Sequence, residues 1–307
     1  MVNHSKQPKF MNKSILLIGS NGQVGTELQQ ILAPYYQIKT ASRPTIDLTQ
    51  PDTLRQAIAA VQPEIIINAA AYTAVDKAES QPEIAKAVNF IAPEIIAQES
   101  QKIGAYLIHL STDYVFDGKS SSPYQEADMT NPLNVYGQTK LAGEQAIREI
   151  SQHHLILRTA WVYGTFGKSN FVKTMLRLGK ERSEIRVVAD QIGSPTWAKD
   201  IALAIAQIIP QINLEITGTY HYTNSGIASW YDFAVAIFEE AEQLGFPLTI
   251  AKTIPITTPE YPTPAYRPSY SVLACGKISQ VLGNHPPHWR TSLRYMLQEW
   301  LLNSQTK

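Results

Sequence analysis

Tyr136 and Lys140 stand four residues apart in the string Tyr136-Gly-Gln-Thr-Lys140. On a helix that spacing puts a phenol and an ammonium on one face, with Cβ atoms roughly 5–6 Å apart. A free tyrosine titrates near ~10, but a neighbouring cation favours its ionised form and pulls that value down. The pair therefore reads as Lys140 tuning and Tyr136 giving a proton, the chemistry needed when a carbonyl oxygen becomes a hydroxyl. About two dozen positions upstream, residues 106–110 read as a strand that runs into Ser111-Thr112-Asp113-Tyr114. A hydroxyl at that strand's carboxyl end can donate to a carbonyl and hold it during reaction. Thr112 is assigned that role, with Ser111 as the competing candidate; both types also serve as turn and capping groups.

Carbonyl reduction needs a hydride source, and a second motif supplies a place for one. Gly19-Ser-Asn21-Gly22-Gln23-Val24-Gly25 follows an apolar run and opens a helical pattern. Glycines there let the backbone turn and approach a pyrophosphate, whose charge meets the helix N-terminus. The G-x-x-G-x-x-G spacing departs from G-x-G-x-x-G and suits the extended short-chain dehydrogenases. After the second strand candidate come Ser42 and Arg43, where an NAD site would carry an acid for the ribose 2′-hydroxyl. A guanidinium instead suits a 2′-phosphate, so NADPH is expected, with NADH as the alternative. Asp47 and Leu48 in the next loop are expected to flank the adenine. Ala69, Ala70 and Ala71, after the third strand candidate, are expected to pass close to the cofactor or to pack helix on strand.

These residues need a scaffold that brings strand ends together. From Ser14 onward short β-rich runs alternate with helical stretches, which predicts a doubly wound parallel sheet of the Rossmann class. Strands are expected at 15–18, 37–41, 65–68, 106–111, 155–159 and 185–188, and helices at 24–32, 51–60, 82–102 and 138–150. Beyond residue 169 the alternation loosens. Residues 254–268 hold five prolines and are expected to be extended and loop-like. Helix signals return at 229–244, where Ser229 and Asp232 suit a capping box, and at 292–302. The expected organisation is a leader at 1–13, a dinucleotide-binding domain at 14–168 with later strands returning to its sheet, and a smaller α/β substrate lobe at 169–307.

Bulk composition narrows the setting. Lys plus Arg equals Asp plus Glu at 26 each among 307 residues, so no global field favours nucleic acid or an anionic membrane surface. The single cysteine, Cys275, cannot form an internal disulfide, and a cytoplasmic compartment is expected. Residues 1–13 are polar and lack the apolar core of a secretory signal. No apolar run reaches the roughly 18 residues of a membrane span.

The strings resemble the dTDP-4-dehydrorhamnose reductases, extended short-chain dehydrogenases that make dTDP-L-rhamnose. The matching pieces are Gly22-Gln-Val-Gly25, Asn68 to Ala71 with Thr73-Ala-Val-Asp76-Lys-Ala-Glu79, residues 111–116 and Pro132-Leu-Asn-Val-Tyr136-Gly-Gln-Thr-Lys140-Leu-Ala-Gly-Glu144. To these are added Arg158-Thr-Ala-Trp161-Val-Tyr163, residues 170–175, residues 190–196 and residues 261–268. The resemblance implies Thr112, Tyr136 and Lys140 as the catalytic set, with Asp113 and Trp161 lining a sugar pocket; a tryptophan after a strand is otherwise core. Arg267 is expected either to meet the nucleotide diphosphate or to make an inter-lobe ion pair. Some relatives bridge a homodimer through Mg²⁺ held by acidic residues. Glu27 matches one such position, but its partner carboxylates have no match; it is expected to be an exposed helix glutamate, and no metal ligand is assigned. The adjacent His153 and His154 lack ligand spacing.

Two other functions fit the same motifs. Tyr-Lys chemistry on this fold also reduces ketones of other nucleotide sugars. The regulatory β subunit of methionine adenosyltransferase resembles these reductases and acts chiefly by binding a partner. The strings around Trp161 and Arg267 favour the reductase.

Overall fold

The computed structural model describes residues 13–43, 45–212 and 216–305, with side-chain surroundings described as far as residue 303. The expected leader, apart from Lys13, lies outside the described residues. Six parallel strands form the central sheet: β1 (Ser14–Ile18), β2 (Gln37–Ala41), β3 (Ile65–Asn68), β4 (Tyr106–Thr112), β5 (His154–Thr159) and, after β6 (Glu184–Val188), β7 (Gly218–His221). Their spatial order is β7-β5-β4-β3-β1-β2. The chain winds one way from β1 to β2 and the other way from β3 outward, so the sheet has its switch point between β1 and β3. Ligands of such sheets sit outside the carboxyl ends of the strands at that point.

Alternation along β1 explains why helices cover both faces. Ile15 and Leu17 face a core with Leu28 and Leu32 of α1 (Gln23–Leu32) and Ile201, Ile205 and Ile208 of α6 (Ala198–Ile208). Leu16 and Ile18 face the other, with Leu54 and Ile58 of α2 (Pro51–Val61), Ile95 and Ile96 of α3 (Ala92–Ile103) and Ile147 of α4 (Val135–Ile150). All residues of β3, β4 and β5 are buried, as expected for parallel strands covered on both sides. A third core joins α5 (Phe171–Glu181), α7 (Trp230–Gln243) and α8 (Trp289–Gln305) through Phe233, Ile237, Leu293 and Leu297.

Three expected elements differ. The helix expected over 82–102 is broken by a π-turn at Ala87–Ile91, where Asn89 exchanges hydrogen bonds with the backbone of Tyr72 at 2.8 and 3.1 Å. A side chain tied across to another segment is a recognised cause of such a break. The strand at Glu184–Val188 forms outside the central sheet, paired in parallel with β8 (Lys252–Ile256). That pairing claims the start of the proline-rich stretch expected to be loop, because a two-stranded sheet leaves one edge on which Pro255 needs no donor. The Ser229–Asp232 capping box forms as expected, with Asp232 N donating to Ser229 Oγ at 3.0 Å.

Candidate active site

A cavity of about 490 Å³ opens at the switch point. Gly19, Asn21, Gly22, Gln23 and Val24 line it from the loop between β1 and α1, and Ala69, Ala70 and Ala71 from the end of β3. Gly19 takes a positive φ of 83°, and a Cβ there would come within 2.6 Å of Ala70 N. Gly25 is not in the wall; a Cβ on it would lie 2.1 Å from Gly19 O, so its absence lets α1 start directly behind the loop. The first turn of α1 carries no acidic side chain, which leaves the positive end of the helix dipole to an anion.

Ser42, Arg43 and Leu48 line the same cavity from beyond the end of β2. Arg43 is exposed. Asp47 is not in the wall: its carboxylate accepts from Thr49 N at 3.0 Å and Thr49 Oγ1 at 2.8 Å, capping the turn before α2. These bonds hold its carboxyl below the ordinary range.

The opposite wall carries Tyr136 and Lys140. Their helix, α4, begins at Asn134, whose side chain accepts from Gly137 N at 2.8 Å. Gly137 lets the helix press on the turn after β4, since a Cβ there would lie 2.2 Å from Tyr114 O. Lys140 is 1% exposed. Its ammonium nitrogen reaches Leu110 O at 2.7 Å and His109 Nε2 at 3.2 Å, and burial brings its pKa down to about 8.

The expected depression of the Tyr136 pKa by Lys140 is corrected here. Burial dominates and pushes the phenol up to about 12, with the Thr112 hydroxyl pulling the other way and Asp113 adding to the rise. Desolvation penalises the phenolate, and Lys140 is not among the groups that pull the value down. The group is thereby kept protonated, which is the state a proton donor needs.

Ser111 and Thr112 are separated by their partners. Ser111 lines the cavity, but its hydroxyl donates to the buried Glu144 Oε1 at 2.6 Å. Thr112 donates to Asp113 Oδ1 at 3.0 Å, accepts from Tyr114 N at 3.2 Å and lies within hydrogen-bonding reach of the Tyr136 phenol. Asp113 is 2% exposed, and burial raises its carboxyl to about 6. Neither Thr112 nor Asp113 lines the cavity, but both act on Tyr136.

Trp161 and Arg267 also stand outside the cavity wall. Trp161 has a positive φ of 47° and stacks on Trp230 with ring centroids 3.6 Å apart. Gly193 closes its other face, since a Cβ there would lie 2.5 Å from the indole. Arg267 makes a two-point ion pair with Asp76 at 3.0 and 2.8 Å, the inter-lobe alternative of the sequence reading. Its charge also acts on Tyr114, whose ring meets that of Tyr136 edge-on at 5.5 Å.

Sequence reasoning missed Lys168 and Ser169, which line the cavity from the loop after Tyr163. That loop is tied to the phosphate loop by Asn170 Nδ2 donating to Gln23 Oε1 at 2.8 Å; a cation beside a glycine was the available signal. It also missed His109 beside Lys140, which carries no spacing motif, and gave Asn68 no role apart from its place in the Asn68–Ala71 string.

No Mg²⁺ site is assigned around Glu27, which is 1% exposed and not on the exposed helix face expected for it. Both Glu27 carboxylate oxygens are buried without a hydrogen-bond partner, and burial with nearby Glu299 raises the group to about 7. A cation is already present, with Lys199 Nζ 2.6 Å from Glu299 Oε2. Among the described residues no three His, Cys, Asp or Glu side chains converge on a metal position. No helix of the described residues is long and apolar enough to cross a membrane.

A family model described as the RmlD substrate binding domain matches residues 12–302. The chain belongs to that family. Within it, the chain is 45% identical over 293 residues to a dTDP-4-dehydrorhamnose reductase of Escherichia coli K12, covering 93% of this chain and 97% of the relative. A crystal structure of the Bacillus anthracis dTDP-4-dehydrorhamnose reductase in complex with NADP superposes with a TM-score of 0.87 at 39% identity, covering 94% of this chain and 100% of the other. An ortholog from Clostridium acetobutylicum superposes at 0.86, also with 39% identity, covering 94% and 99%. The Rossmann architecture expected from the strand–helix alternation is therefore that of solved members of the RmlD family.

Proposed function

We propose that this chain reduces the 4-keto group of dTDP-4-dehydro-L-rhamnose to give dTDP-L-rhamnose, with NADPH as reductant, in the cytoplasm. The observation that carries the reading is that Tyr136 and Lys140 share one cavity with the glycine loop, so a proton donor and a dinucleotide cradle face the same space. The RmlD-family relatives named above support the sugar nucleotide.

The glycine loop and the α1 N-terminus would hold the pyrophosphate, Ala69 to Ala71 the face of the cofactor, and Ser42 and Arg43 a 2′-phosphate. When bound, the nicotinamide supplies a hydride to the carbonyl carbon. Thr112, which donates to Asp113 Oδ1 in the free protein, would turn that one proton to the carbonyl oxygen and keep it beside the phenol. Tyr136 then transfers its proton to that oxygen as charge develops on it. Even with a raised pKa the phenol is the stronger acid than the alcohol it creates, so the transfer runs downhill. Lys140 supplies a cation next to the phenolate left behind. Residues 14–168 thus hold the cofactor and residues 169–307 cover the sugar nucleotide, with Trp161 and Asp113 toward the sugar. Arg267 is paired with Asp76 and would have to share that charge to meet the diphosphate.

The test is to supply dTDP-4-dehydro-L-rhamnose with NADPH or NADH and follow loss of reduced cofactor together with formation of dTDP-L-rhamnose. Oxidation of NADPH that depends on the ketone supports the reading. Cofactor binding without turnover, with co-purification of a methionine adenosyltransferase catalytic subunit, would replace it by the regulatory one.

A further inference from the structure

Behind Lys140 runs a buried chain of hydrogen bonds whose polarity can be read from its fixed end. Ala70 N can only donate, and it faces Asn68 Oδ1 at 3.2 Å. The other amide atom of Asn68 is therefore the NH₂, which meets His109 Nδ1 at 3.1 Å. His109 is 0% exposed, and burial together with Lys140 holds its pKa well below the ordinary value, so the ring is neutral. A neutral ring that accepts at Nδ1 carries its proton on Nε2. That N–H points at Lys140 Nζ, 3.2 Å away, while Nζ donates to Leu110 O at 2.7 Å. An amine has the lone pair to accept from Nε2–H, whereas an ammonium does not.

We propose that His109 is a further positioning residue of the reaction, a tautomer relay that ties the charge on Lys140 to the side-chain amide of Asn68 and through it to Ala70 on the cofactor wall. When Lys140 gains a proton, the pair takes up one proton in total. The ring stays neutral and moves its single proton from Nε2 to Nδ1, so that Nε2 can accept from the ammonium. Nδ1–H now requires an acceptor, so the Asn68 amide turns its oxygen to the ring and releases Ala70 N–H beside the cavity. The groups facing Lys140 are His109 from β4 and Tyr136 and Glu144 from its own helix, with Arg158 of β5 reached through Glu144. His109 can exchange a donor for an acceptor at Nε2 without changing charge, and it is the group within hydrogen-bonding distance of Nζ that also reaches Asn68.

The inference rests on the reductase reading for its consequence, but its first test needs neither substrate nor turnover. In protein labelled with ¹⁵N-histidine, the His109 ring, identified among seven histidines by its loss in His109→Gln, should be the Nε2–H tautomer at high pH. It should pass to Nδ1–H as the pH falls through about 8, where burial sets Lys140. One unchanged tautomer across that range overturns the relay, whatever the enzyme reduces. The second test is kinetic. A glutamine can turn either its carbonyl or its amide to Nζ, so His109→Gln should move the corresponding limb of the kcat profile upward by about one pH unit with little change in KM for NADPH. A uniform fall in kcat with the limb fixed would mean that the imidazole only fills space, and the relay would be wrong. Absence of ketone reduction by the wild type would instead remove the proposed function and leave the ring titration to be judged alone.

Discussion

Helix α4 buries two ionisable side chains one turn apart, Lys140 and Glu144, and the fold treats them in opposite ways. Glu144 accepts from Ser111 Oγ at 2.6 Å, from Arg158 Nε and Nη2 at 2.9 and 2.7 Å and from Arg148 at 3.0 Å. Those partners outweigh its desolvation and hold its carboxyl below the ordinary range. Lys140, equally buried, is held by a carbonyl and a neutral imidazole, and it gives up its charge more readily. A fully partnered buried charge fixes structure, and an under-partnered one is poised for proton chemistry. The difference lies in what the neighbouring strands present: Arg158 from β5 to one residue, Leu110 O and His109 from β4 to the other.

The contrast can be broken at the proton donor first. Tyr136→Phe keeps the ring and its packing but removes the transferable proton, so turnover should fall about 10²–10⁴-fold while NADPH affinity stays near wild type. Turnover near wild type would transfer the acid role to another group. On the structural side, Arg158→Met leaves Glu144 buried and under-paired, which should cost about 3–5 kcal/mol in denaturant unfolding. Adding Glu144→Leu should recover part of that loss, and a double variant weaker than the single one would refute the assignment.

Lys140→Met sharpens the comparison from the other side, because it should abolish turnover while removing a charge that is expensive to bury. The folded pKa, about 8, lies below the value of 10.5 for a free lysine. The unfolded chain therefore binds more protons between those values, and this group's contribution to stability rises as pH climbs through that window. Melting curves should show Lys140→Met more stable than wild type at pH 7, with the gap narrowing toward pH 10. Glu144 has the same sense in a lower window: its folded value lies below 4.5, so its contribution is present above the carboxylate range and is lost as the pH falls. Smallest is the specificity change in Arg43→Ala. It should lower the NADPH over NADH preference by about tenfold, the worth of one exposed charge-assisted contact, and an unchanged ratio would assign Arg43 to solvent.

The parts of the site legible in the sequence were those held by local spacing. The Gly19–Gly25 segment joins two consecutive elements and the Tyr136–Lys140 pair sits within about one turn of one helix, and strand–turn–helix context was enough to assign them. Trp161 and Arg267 were harder because their surroundings come from distant segments: Trp230 stacks on one and Asp76 pairs with the other. Thr112 and Ser111 could not be separated until Glu144, 33 residues from Ser111, was seen to claim the serine hydroxyl. In the fold, the five strands with helical crossovers between them were readable from alternation. Strand β7 was not, since Gly218–His221 is short and its partner β5 lies far upstream. The π-turn at Ala87–Ile91 depends on one asparagine bonding to Tyr72, which no periodicity encodes.

That late strand has a consequence for any attempt to divide the chain. Because Gly218–His221 pairs along His154–Thr159, a fragment ending near residue 168 would leave the hydrogen-bonding groups of β5 uncovered on a flat, buried-type strand. Such an edge recruits other chains, so the cofactor half made alone should come out of expression as aggregate, whereas co-expression with the complementary half offers the missing strand and should recover soluble material.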